Sequence, residues 1–90
     1  MAAVDIDVSQ RPERKYEGIW KLVKNKGRCR VAAPAKDHQT IQRLVRKEKY
    51  IDLEWKAECE MQDKRINLRY KSDGDILTFW LDKRPSLGFL

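Results

Sequence analysis

The chain predicts an α+β fold: a small single domain in which an antiparallel sheet carries one helix on its apolar face, with elements in the order β-β-α-β-β-β. Three patterns point there. Ile51, Leu53, Trp55, Ala57, Cys59 and Met61 alternate with Asp52, Glu54, Lys56, Glu58 and Glu60, a period of two that suits a strand with one wet face. Ile41, Leu44 and Val45 recur at helical spacing. Asp73-Gly74 lies between two short alternating runs, the strongest local signal for a hairpin.

In chain order, residues 1–15 show no sustained period and read as a flexible arm. The apolar residues from Tyr16 to Lys24 favour a strand, Asn25-Lys26-Gly27 offers a turn, and Arg28 to Ala33 gives a second strand. Pro34 ends that hairpin because it has no N–H for a ladder, and Asp37 is placed to cap the helix that follows. The helix runs from His38 to about Lys49. Its solvent side gathers Lys36, Gln39, Arg43, Arg46, Lys47 and Tyr50 at 100° per residue.

The alternating run to Met61 then forms the long strand, and Gln62-Asp63-Lys64 turns the chain. Ile66, Leu68 and Tyr70 alternate with Arg65, Asn67, Arg69 and Lys71, and Ile76 to Leu81 is the last strand. The domain therefore spans residues 16–82. Residues 83–90 form a tail that closes on Leu87, Gly88, Phe89 and Leu90. The expected core is Trp55, Leu53, Leu68, Ile66, Ile41 and Leu44, with Trp20 also inside.

Charge is segregated. Of a net +6, residues 11–49 hold thirteen Lys or Arg against four acids, while residues 50–90 hold seven against eight. A basic half of this kind suits a polyanion. The carboxylates of the long strand would face Arg65, Arg69 and Lys71 across the sheet and neutralise them. That leaves the helix and first hairpin as the phosphate-binding surface: Lys21, Lys24, Lys26, Arg28, Arg30, Lys36, Arg43, Arg46 and Lys47. Tyr16 or Trp20 would add a stacking surface if exposed.

The expected function is a small non-enzymatic protein that binds DNA or RNA. The alternative is an adaptor or inhibitor whose basic face docks on an acidic partner protein. A third reading is a metal-dependent nuclease, because Glu54-Trp55-Lys56 matches a (D/E)-x-K element, with Asp37 as a second acid. Against it, Asp37 opens a helix, whereas such sites want the other acid on a neighbouring strand. Glu54, Glu58 and Glu60 read as salt partners rather than an acid–base pair.

No metal or cofactor is expected. His38, the single histidine, reads as a surface residue, and with Cys29, Cys59 and Asp37 it lacks the close ligand spacing of a zinc site. Cys59 points with the apolar run, where a nucleophilic thiolate is disfavoured. No glycine-rich phosphate loop is present. Two thiols and no apolar run of membrane length suggest a reduced cytoplasmic protein with both cysteines free.

Overall fold

The computed structural model describes residues 4–10 and 16–85. It is α+β, with a four-stranded sheet and three α-helices: β1 (Ile6–Asp7), α1 (Ile19–Lys26), β2 (Arg28–Ala32), α2 (His38–Ile51), α3 (Leu53–Met61), β3 (Lys64–Asp73) and β4 (Ile76–Pro85). Short 3₁₀ turns cover Val8–Gln10 and Ala35–Asp37. The sheet order is β1-β2-β4-β3, with β1 parallel to β2 and the other pairs antiparallel. The sheet is thus mixed, and the expected order β-β-α-β-β-β is replaced by β-α-β-α-α-β-β.

Two expected strands are helices. Ile19, Trp20 and Val23 share the buried face of α1, while Lys21, Asn25 and Lys26 are exposed. Gly27 was expected in a hairpin turn. Its positive φ of 79° instead closes the helix, its N–H reaching the Val23 carbonyl at 2.7 Å. Lys24 and Lys26 lie in the last turn, where cations favour the helix dipole.

The long alternating run is α3. Leu53 to Met61 contains no β-branched residue, no glycine and no proline, and is rich in strong helix formers. Asp52 caps it, accepting the Trp55 backbone N–H at 3.0 Å. Every second position also includes every fourth, so a period of two can hide i, i+4 pairs. Trp55 and Cys59 form one such pair, half-buried, whereas Leu53, Ala57 and Met61 are exposed.

The hairpin of β3 and β4 stands as expected, with Asp73 opposite Ile76 across a Gly74-Asp75 loop. Among these two only Gly74 has positive φ, the pattern of a type II′ turn rather than type I′. Helix α2 also forms where expected.

The core lies on one face of the sheet. Cys29 and Val31 of β2 and Leu77 and Phe79 of β4 meet Ile19, Trp20 and Val23 of α1 and Ile41 and Val45 of α2. Of the expected core, Ile41 is buried, Leu44, Trp55, Ile66 and Leu68 are partly buried, and Leu53 is exposed. Part of the segment expected to be a flexible arm joins the core: β1 pairs with β2, and Ile6 and Val8 are buried. Residues 11–15 of that arm, and the apolar close of the tail at Leu87, Gly88, Phe89 and Leu90, lie outside the described residues.

Candidate functional site

Alternation along the strands decides what the second sheet face presents. With Cys29, Val31, Leu77 and Phe79 turned to the helices, Arg28 and Arg30 of β2, Thr78 and Trp80 of β4, and Arg69 and Lys71 of β3 turn the other way. Register aligns them in rows. Arg28 and Arg69 lie directly opposite Trp80 from either side, and Arg30 and Lys71 lie opposite Thr78. Among the described residues no helix covers this face, and Trp80 keeps 36% of its surface exposed. A groove of about 610 Å³ runs over Arg28, Arg30, Lys71, Thr78 and Trp80, and Asp73 also lines it.

Three acids, Asp5, Asp73 and Asp82, lie among or beside these cations. Asp5 accepts the Arg30 backbone N–H at 2.8 Å and the Lys26 ammonium at 3.3 Å, and those bonds, the backbone one first, hold its carboxyl below the usual range. Asp73 closes the row beside the turn, opposite Ile76. Asp82 receives Arg69 Nε at 3.4 Å.

The sequence-selected cations divide between two surfaces. Arg28 and Arg30 lie on the open sheet face. Arg43, Arg46 and Lys47 are exposed on α2, which packs on the other side, and Lys36 is exposed in the turn before it. Lys21 is exposed on α1, Lys24 is bound to Asp52 at 2.9 Å, and Lys26 to Asp5. The two surfaces approach each other around the β3 edge. There a cavity of about 670 Å³ between α2, α3 and β3 is lined by Arg46, Lys49, Lys56 and Arg69, with Glu60 as its one acid.

Arg69 and Lys71 were missed as site residues because their neutralising neighbours were misplaced, and Trp80 because its side of the last strand was not assigned. Glu54, Glu58 and Glu60 belong to α3, not to a strand beside β3, so the expected charge ladder does not form. The signal that finds the face is Thr78-Phe79-Trp80: once Phe79 is inside, Trp80 must be outside.

The nuclease reading loses its geometry. Glu54 and Lys56 sit on a helix, where residues two apart point to different sides. Among the described residues no three His, Cys, Asp or Glu side chains are grouped to hold a metal. His38, expected at the surface, is buried because its Nε2 meets the Ala33 carbonyl at 2.8 Å and its Nδ1 meets Ser72 Oγ at 2.5 Å. Neither Cys29 nor Cys59 is part of a disulfide. Among the described residues no helix is long and apolar enough to cross a membrane. Compared with protein-family models, curated proteins and solved structures, the chain matches none.

Proposed function

We propose that the chain is a small, non-enzymatic, cytoplasmic nucleic-acid-binding protein, taking DNA or RNA mainly through phosphate contacts. The observation that carries this reading is the open sheet face, where Arg28, Arg30, Arg69 and Lys71 flank Trp80 and Thr78 across register. Arg46 of α2 meets Arg69 at the β3 edge, and Arg43 and Lys47 are exposed on the same helix, so a strand too long for the sheet meets further cations. Each phosphate neutralised releases condensed counterions, which makes affinity fall with salt at a slope of roughly 0.7 to 0.9 per phosphate.

The test is fluorescence anisotropy with a labelled oligonucleotide across roughly 50 to 200 mM salt. Affinity is expected to fall steeply over that range. The charge-reversed variants R28E/K71E and R43E/R46E/K47E are each expected to weaken binding while circular dichroism stays unchanged. Absence of binding at the lowest salt sinks the proposal.

A second reading rests on a different observation. Tyr50, Ile51, Leu53 and Met61 are large, apolar or aromatic, and exposed around α3. Beside the cations of α2 they suit an adaptor or inhibitor that docks on an acidic partner protein, with apolar anchors inside a charged rim. In that case a partner captured by the chain survives nuclease treatment and is lost on L53D/M61D, while R28E/K71E leaves it bound.

A further inference from the structure

Three tryptophans occupy three different settings. Trp20 is buried and Trp55 half-buried, and their rings meet edge to face at 5.4 Å on the helix side of the sheet. Trp80 faces away from that core, on the open side, between two arginines. Trp80 keeps 36% of its surface exposed on the side of the sheet away from the helices, which leaves part of a large apolar ring for a ligand to cover. The neighbouring groups indicate what that ligand is. Arg28 and Arg69 stand opposite the indole at cross-strand distance, and one row along Arg30 and Lys71 bracket the small Thr78, which leaves the groove open beside the ring. Gly27 lines the same groove without a side chain, and a Cβ placed there would meet nothing within 4 Å.

We infer that Trp80 is a base-stacking site, and that the open sheet face takes single-stranded nucleic acid in preference to duplex. The inference rests on the nucleic-acid reading above and adds the strandedness and the contact that sets it. A partly exposed indole flanked by cations fits an unpaired base whose own phosphates reach Arg28, Arg30 and Lys71, and Arg69 where phosphate displaces Asp82. Stacking of this type tolerates any base because every base has such a face. A duplex keeps its base faces inside the helical stack and offers this indole only sugar and phosphate.

Three probes of equal length, about twelve nucleotides, separate the possibilities on the full chain: oligothymidylate, a strand of abasic residues with the same phosphates, and a duplex. The inference expects oligothymidylate to bind about tenfold or more tighter than the abasic strand, as one stacked base supplies, and tighter than the duplex. Trp80→Ala should abolish the difference between the two single strands, and Trp80→Phe should keep most of it. Equal binding of thymidylate and abasic strands to the wild-type chain overturns the stacking site whatever the variants do, and leaves phosphate binding standing. Duplex binding as tight as single strand overturns the strand preference. If none of the three probes binds at low salt, the nucleic-acid reading itself fails; loss on Trp80→Ala of a nuclease-resistant protein complex would then assign the indole to a protein partner.

Discussion

The Trp20 indole N–H donates to Asp52 Oδ2 at 2.8 Å, which ties a core residue of α1 to the single residue that separates α2 from α3. The same carboxylate oxygen receives the Lys24 ammonium at 2.9 Å, and Oδ1 caps α3 through the Trp55 N–H. One side chain therefore sets the angle at which the chain leaves α2. Asp52→Ala removes a helix cap, worth about 1 kcal/mol, and leaves the indole N–H and the ammonium without that partner, at roughly 1 to 3 kcal/mol more. A loss of about 2 to 4 kcal/mol is expected in urea denaturation.

The pH dependence of the same node has a definite sign. Burial pushes the Asp52 carboxyl up, but hydrogen bonds from Trp20, Lys24 and the Trp55 backbone outweigh it and hold the pKa at about 2, against an ordinary 3.8. A depressed folded value means that stability is fully present above the unfolded value near 3.8 and is lost as pH falls through about 2. Unfolding midpoints measured from pH 5 downward should decline in that window for the wild-type chain and stay flatter for Asp52→Asn. Equal slopes would show that the carboxylate charge is not stabilising.

Glu48 carries the opposite sign. Burial raises its carboxyl pKa above 4.5, the N–H of Gly18 partly opposes the rise, and the charge of Glu17 adds to it. The folded protein holds this proton more tightly than the unfolded chain. Stability from this group is thus present below 4.5 and falls as pH rises through the raised folded value. Glu48→Gln keeps an oxygen able to accept from Gly18, so it should be neutral or slightly stabilising at pH 7 and should remove that decline. Destabilisation by more than about 1 kcal/mol would mean that the charged form is favoured.

How legible the fold was depended on which local rule held. Asp73-Gly74 between alternating runs marks its hairpin because turn geometry is local, and Ile41, Leu44 and Val45 mark α2 because helical spacing was unmixed. The stretches at Ile19–Lys26 and Leu53–Met61 failed for two different reasons. The first is too short for its period to be separated from a strand, and Gly27 serves a helix end as well as a turn. The second puts apolar residues on both sides of a helix, so periodicity misled where propensity and the Asp52 cap pointed correctly. Misplacing that one element then concealed the open sheet face, since it assigned three glutamates to a ladder with β3. Arg28 and Arg30 were still found from charge alone, whereas Trp80 required the register.

His38 shows that a buried polar residue can be structural. With Nε2–H donating to the Ala33 carbonyl, a neutral ring accepts from the Ser72 hydroxyl at Nδ1, joining the end of β2 to β3 through the start of α2. His38→Leu strands the Ala33 carbonyl and should cost about 1 to 3 kcal/mol. Ser72→Ala removes only the second bond and should cost less, roughly 0.5 to 1.5 kcal/mol. A reversed ranking in urea denaturation would show that the carbonyl is satisfied without the imidazole.

Gly27 is a backbone case. Its φ of 79° ends α1 and starts β2, and Leu81 donates to its carbonyl at 3.1 Å. A methyl group would have open space, so Gly27→Ala should cost only the conformational penalty, about 1 to 2 kcal/mol. Gly27→Asn should recover part of it, because asparagine tolerates this region better. Equal losses for the two variants, read as shifts in thermal midpoint, would indicate a contact rather than a backbone preference.

Leu53 and Met61 discriminate most sharply between the helix seen here and the strand that their alternation suggests. On a half-buried strand both would face the core with Trp55, and a charge at either would cost several kcal/mol. On α3 they are 74% and 86% exposed, while Trp55 packs against Trp20. Leu53→Lys and Met61→Lys are therefore expected to change stability by no more than about 0.5 kcal/mol each. Trp55→Ala should cost about 2 to 4 kcal/mol, less than a fully buried tryptophan because one side of the ring remains open. Chemical denaturation of the three variants is sufficient. A large loss for either lysine variant would mean that a surface left exposed by the described residues is covered in solution, and would direct the search for a partner to α3.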